Sequence, residues 1–183
     1  MLYHVSPVHG LTALTPRVST HGKAYVYAIE NLTTGLLFGV QQDDFDFDIS
    51  TDEHGVQTIT ECYPGARSNQ YRARSCSVYE IGSDGFEQGA TGWSSEWVCG
   101  YTVPVLRETV VPDLLARLLD EEARGALRIR RYRSDAAFRE EIRAHAADRL
   151  LRFHIDLAHC MEHDSRFADY YREIIEALAA APS

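Results

Sequence analysis

Apolar and polar residues alternate in short runs through about residue 105, and beyond it apolar residues recur at three- and four-residue spacing. Alternation buries one face of a strand, whereas the longer period buries one stripe of a helix. Strands are expected at Leu2 to Val5, Ala24 to Ile29, Thr58 to Tyr63, Ser77 to Glu80 and Trp97 to Val105, punctuated by Gly, Pro, Asn and Asp. Leu32 to Val40 is expected as a short helix behind an Asn31 cap.

Further on, Pro112-Asp113 opens a helix carrying Leu114, Leu115, Leu118 and Leu119. Ser134-Asp135 opens a second, with Phe138, Ile142, Ala146, Leu150 and Phe153 along one face. A third is expected from about Ser165 through Phe167, Tyr170, Tyr171, Ile174, Ile175 and Leu178. The pattern predicts an α+β fold. Residues 1–110 would form a β-rich core, and residues 111–183 a helical extension packed on it as a covering layer.

Composition changes this picture little. The 183 residues are 45% hydrophobic and 25% charged, ordinary globular usage. The formal net charge of −9 argues against a phosphate backbone as a bulk partner, because such binding needs Lys and Arg to displace counterions. Arg124, Arg128, Arg130, Arg131 and Arg133 crowd one stretch, which is read as a solvated helix end and strand. No stretch approaches the roughly 18 apolar residues of a membrane span, and the start of the chain lacks the pattern of a secretory leader. A cytoplasmic protein with reduced thiols is expected, since Cys62, Cys76, Cys99 and Cys160 are well separated and form no Cys-x-x-Cys pair. Asp43 to Asp48 alternates carboxylates with aromatics, as suits an edge strand; it lacks the central Gly and terminal Glu of a regular calcium loop.

Three segments carry candidate chemistry. Leu2-Tyr3-His4-Val5-Ser6 presents a His beside a small hydroxyl residue. Gly22-Lys23-Ala24-Tyr25-Val26-Tyr27-Ala28-Ile29-Glu30-Asn31 alternates aromatic with aliphatic residues before a helix cap. Gly92-Trp93-Ser94-Ser95-Glu96-Trp97-Val98 sets a Glu at the head of an aromatic, apolar strand. In their order and spacing these segments resemble the His-Tyr-Glu ADP-ribosyltransferases, the superfamily of diphtheria toxin and the poly(ADP-ribose) polymerases. The likeness covers roughly residues 1–105. It implies an ADP-ribosyltransferase-like split β-sheet core. It also implies NAD as the substrate, His4, Tyr27 and Glu96 as the catalytic set, and His4, Val5, Ser6, Tyr27 and Phe38 as the NAD contacts. His4 would bond the adenosine-side ribose, Val5 would hold the carboxamide through its main chain, and Phe38, eleven positions after Tyr27, would be the second stacking ring. Two departures stand out: Val5 where the family usually has Gly, and Phe38 where it commonly has Tyr. Tyr25 competes with Tyr27 for the stacking role, because alternation puts both on one face.

The chemistry agrees with these residue types. Loss of nicotinamide from ribose passes through a cationic, oxocarbenium-like state, which a carboxylate such as Glu96 stabilises. An aromatic face stacks on a flat pyridinium and attracts its charge. The expected activity is therefore transfer of ADP-ribose from NAD to a macromolecular acceptor, as in a toxin or effector. A catalytically silent NAD or ADP-ribose binding module is the alternative.

A third reading starts from His159-Cys160-Met161-Glu162-His163, which has two imidazoles one helical turn apart in the His-x-x-Glu-His order of a metal-dependent hydrolase. No third ligand with a compelling setting accompanies them, so the pair is read as packing or surface residues and no metal site is expected.

Overall fold

The computed structural model describes residues 1–18, 23–40, 47–152 and Arg172. In chain order the elements are β1 (Leu2–Ser6), β2 (Ala13–Leu14), β3 (Arg17–Val18), β4 (Ala24–Ile29), α1 (Leu32–Leu37), β5 (Phe47–Thr51), β6 (Gln57–Glu61) and α2 (Ala66–Tyr71). There follow β7 (Cys76–Ile81), β8 (Glu87–Gln88), β9 (Glu96–Cys99), β10 (Val103–Val111), α3 (Leu114–Ala123), β11 (Leu127–Arg130) and α4 (Ala136–Arg152). This is a mixed α+β fold, mostly sheet with a few helices. The described residues fall into two compact units, one within Met1–Gln41 and Tyr71–Ala126, the other within Gln42–Gln70 and Leu127–Ser183.

The first unit is built on an eight-stranded sheet in the order β2-β10-β7-β1-β4-β9-β8, with β3 pairing on β4. Alternation sorts its residues. Leu2, Val26, Ala28, Tyr79, Ile81 and Cys99 join Leu14 and Val103 in one buried cluster on one face. The other face carries α1. A Cβ on Gly35 would lie 3.0 Å from Ile29 Cγ2 and 3.1 Å from Val5 Cγ2, so the missing side chain is what lets that helix lie against β1 and β4. Helix α1 begins as expected, with the Asn31 side chain accepting the Thr34 N–H at 3.1 Å. Helix α3 begins in the same way at Asp113, whose carboxylate accepts the Ala116 N–H at 2.9 Å. Its buried stripe is Leu114, Leu118 and Glu121, while Leu119 is 38% exposed, so the stripe lies one position away from the all-leucine reading.

The second unit holds a three-stranded sheet in the order β11-β6-β5, with β11 parallel to β6 and β5 antiparallel to it. Helix α4 starts at the expected place, where Asp135 accepts the Phe138 N–H at 3.0 Å, and buries Phe138, Ile142 and Ala146. Phe47 and Asp48 head an edge strand; residues 43–46 of the acidic stretch lie outside the described residues.

Two expectations change. The strand expected over Trp97 to Val105 is broken at residues 100–102: β9 pairs with β4, whereas β10 pairs with β7, so the chain must cross between distant positions in the sheet. The segment 111–183 is not a single helical extension, since it contains β11, and the pairing of β11 with β6 joins residues 127–130 to residues 57–60. The units thus interleave along the chain rather than dividing near 110. The third expected helix, and with it Cys160 and the His159/His163 pair, lies outside the described residues apart from Arg172.

The arginine-rich stretch is spent on carboxylates. Arg124 pairs with Glu121, Arg128 with Asp52 at 3.7 Å, Arg130 with Glu141 at 2.5 Å and Arg133 with Asp135 at 2.9 Å, while Arg131 donates to the Ile129 carbonyl at 2.9 Å. No described helix is long and apolar enough to cross a membrane.

Candidate functional site

The three segments singled out by the sequence become β1, β4 and the head of β9, and these strands are consecutive neighbours in the first unit's sheet. Tyr27 pairs with Val98 and Ile29 with Glu96, so Glu96 is two positions along from the residue facing Tyr27 and on the same face. Such diagonal positions are about 7 to 8 Å apart between Cα atoms, within reach of an aromatic side chain. Both residues are half-buried, and the Tyr27 hydroxyl oxygen is enclosed.

The ladder between β1 and β4 is different. Only Tyr3 and Ile29 pair there, against five pairs between β1 and β7. Past that single pair the His4 side chain takes up a main-chain acceptor: its Nδ1 lies 2.8 Å from the Tyr27 carbonyl oxygen. A carbonyl only accepts, so Nδ1 carries the proton and Nε2 is left as an acceptor in the neutral ring. Burial lowers the His4 pKa from its ordinary value; the bond to Tyr27 opposes this shift and the nearby Arg17 charge adds to it.

The register also separates His4 from its expected companions. Tyr3 opposite Ile29 puts Val5 on the face of Tyr27 and Glu96, and His4 on the other, where its ring is 6.2 Å from that of Tyr79. His4 therefore meets Tyr27 through the backbone and not ring to ring. Val5 is half-buried and directed toward α1, as its approach to Gly35 shows. Ser6 turns its hydroxyl back to the Val8 N–H at 3.2 Å.

Phe38 closes α1 and is 40% exposed. Its ring lies 5.6 Å from that of Trp93, tilted by 55°. Trp93 in turn accepts the Glu96 N–H on its carbonyl at 3.1 Å, so the Phe38 ring is carried to the turn that presents Glu96. Sequence reasoning gave Trp93 no role, although it stands in the segment that identified Glu96. Tyr25 lies opposite Arg17 on β3 and makes an edge contact with Tyr27, centroids 6.0 Å apart. The structure thus groups Tyr27, Glu96 and, through Trp93, Phe38, and ties His4 to Tyr27 from behind.

Among the described residues no group of three His, Cys, Asp or Glu side chains is arranged to hold a metal ion. No family model, curated protein or solved structure matches the chain.

Proposed function

We propose that this chain binds NAD in an ADP-ribosyltransferase-like split-sheet core and transfers ADP-ribose to a macromolecular acceptor with release of nicotinamide. The observation that carries the reading is the adjacency of β1, β4 and β9, which sets Tyr27 and Glu96 on one face and His4 on the strand beside them.

In this reading Tyr27 and Phe38 bracket the nicotinamide ring and Glu96 stabilises the cationic ribose as the glycosidic bond lengthens. The main chain of Val5 holds the carboxamide, and His4, whose ring lies on the opposite face, positions the strand through the bond from its Nδ1 to the Tyr27 carbonyl. The acceptor's nucleophilic oxygen or nitrogen then bonds to the ribose carbon that nicotinamide leaves. The position of the His4 ring on the opposite face favours a second reading, a module that binds NAD or ADP-ribose without turnover.

One experiment separates them. Calorimetric titration with NAD is followed by nicotinamide release in an acceptor-containing lysate, for wild type, Glu96→Gln, Tyr27→Ala and Tyr25→Ala, after melts confirm folding. Glu96→Gln is expected to keep NAD affinity and lose turnover by about 10²-fold to 10³-fold, because Gln retains size and an acceptor but not charge. Tyr27→Ala should weaken binding several-fold, an effect on the order of 1 kcal/mol, and more than Tyr25→Ala does. Binding without release selects the silent module, and absence of binding rejects both.

A further inference from the structure

A second polar cluster lies in the same unit, where the loop after β1 folds over β7 and β10. His9 Nδ1 lies 2.6 Å from Ser77 Oγ, and its Nε2 lies 3.1 Å from Ser75 Oγ. Ser77 Oγ lies 2.5 Å from Glu108 Oε1, which also accepts the Gly10 N–H at 2.9 Å. The Tyr79 hydroxyl, 2.7 Å from the Val8 carbonyl, sits 3.2 Å from the same carboxylate oxygen. Pairing explains the assembly: Tyr79 faces Glu108 across the β7–β10 ladder, and Ser77 is two residues from Tyr79 on the same face.

Proton accounting fixes the direction of the chain. The Gly10 N–H, followed by the Ser77 hydroxyl, holds the Glu108 carboxyl below the ordinary carboxylate range, so it is ionised and only accepts. Ser77 has one proton, and it goes to Glu108. The Ser77 oxygen must then accept from His9, which places the imidazole proton on Nδ1. Nε2 is left with a lone pair, and Ser75 donates its proton to it. The order is hydroxyl, imidazole, hydroxyl, carboxylate, with the first hydroxyl polarised toward a base that is itself oriented by a negative charge. Ser77 and Tyr79 are fully buried, whereas Ser75 is half-buried and His9 is exposed, so the open end of the chain is the nucleophilic one.

We propose that Ser75 is an activated nucleophile that takes an acyl group from an activated ester, with His9 as its general base and Ser77 and Glu108 as the residues that position the imidazole. In the acylation step Ser75 Oγ bonds to the acyl carbon as its proton passes to His9 Nε2. The bond from that carbon to the leaving oxygen breaks, and the proton is handed to the departing oxygen. Water, deprotonated by the same nitrogen, then cleaves the acyl-serine to the free acid and regenerates Ser75. This chemistry does not rest on the NAD reading, since none of its four residues belongs to that candidate site.

The test uses the full chain with 4-nitrophenyl acetate, followed by release of nitrophenolate and by peptide mapping of the acetylated residue. The expected result is a burst approaching one equivalent with the acetyl group on Ser75. Ser75→Ala, a change at a half-buried position outside any strand, should abolish the burst, and His9→Ala should slow it by about 10²-fold. Glu108→Gln should slow acylation about tenfold while leaving the half-saturating ester concentration unchanged, a split that a merely structural role would not produce. Folded wild type without a burst, acetyl groups mapping elsewhere, or an undiminished burst in Ser75→Ala would overturn the proposal. So would an acylation rate unaffected by both His9→Ala and Glu108→Gln.

Discussion

Replacing Glu121 by Ala should cost the first unit about 2 to 4 kcal/mol. Glu121 is 5% exposed on α3, at a stripe position that sequence periodicity would fill with an apolar residue. Its Oε1 accepts Arg117 Nε at 2.8 Å and is joined by Arg124, and its Oε2 accepts the Thr33 hydroxyl of α1 at 3.1 Å. The two arginines are 34% and 58% exposed, so on losing Glu121 they turn to water, and each pair contributes no more than about 1 kcal/mol. Thr33 is only 8% exposed and cannot do the same; an orphaned buried hydroxyl costs about 1 to 3 kcal/mol. Urea denaturation should show a lower midpoint with an unchanged slope, and the melting temperature should drop by roughly 5 to 15 °C. In the Glu121→Ala background, Thr33→Val should cost less than it does alone, because the hydroxyl it removes no longer has an acceptor. A Glu121→Ala stability within about 0.5 kcal/mol of wild type, or fully additive losses, would refute the argument.

Two further outcomes follow from packing and from charge. Gly39→Ala should destabilise by about 1 to 3 kcal/mol, since the new Cβ would sit 2.9 Å from Cys76 Sγ and 3.0 Å from Leu114 Cδ2, both in fully buried residues; an unchanged urea midpoint would show that the site can yield. For His4, burial favours the neutral ring in the folded chain, so its contribution to stability is fully present above the ordinary value of 6.5 and is lost as pH falls through that value toward the lowered folded one. Urea midpoints measured between about pH 7.5 and pH 5 should fall less steeply for His4→Gln than for wild type, and equal slopes would reject the assignment.

The elements whose periodicity and caps are local are legible in the sequence. Strand β4 occupies the expected Ala24–Ile29, the Asn31 cap accepts the bond expected of it, α3 opens at the expected Pro112-Asp113, and Phe138, Ile142 and Ala146 form the buried stripe of α4. These features follow from alternation, helical spacing and short-range hydrogen bonds, which act over a few residues. The mixed α+β class could be read for the same reason.

What depends on pairing between distant segments appears only once the strands have paired. The crossing between β9 and β10, the parallel union of β11 with β6, and the opposite faces of His4 and Tyr27 are matters of register, and a shift of one residue reverses which face a side chain takes. Glu121 was hidden because a buried carboxylate is held by partners that periodicity does not display, among them Thr33 on another helix. The chain from Ser75 to Glu108 was hidden for the same physical reason. His9 lies 68 residues from Ser77, and Ser77 lies 31 residues from Glu108; no local pattern links them until β7 and β10 pair and the loop after β1 closes over them.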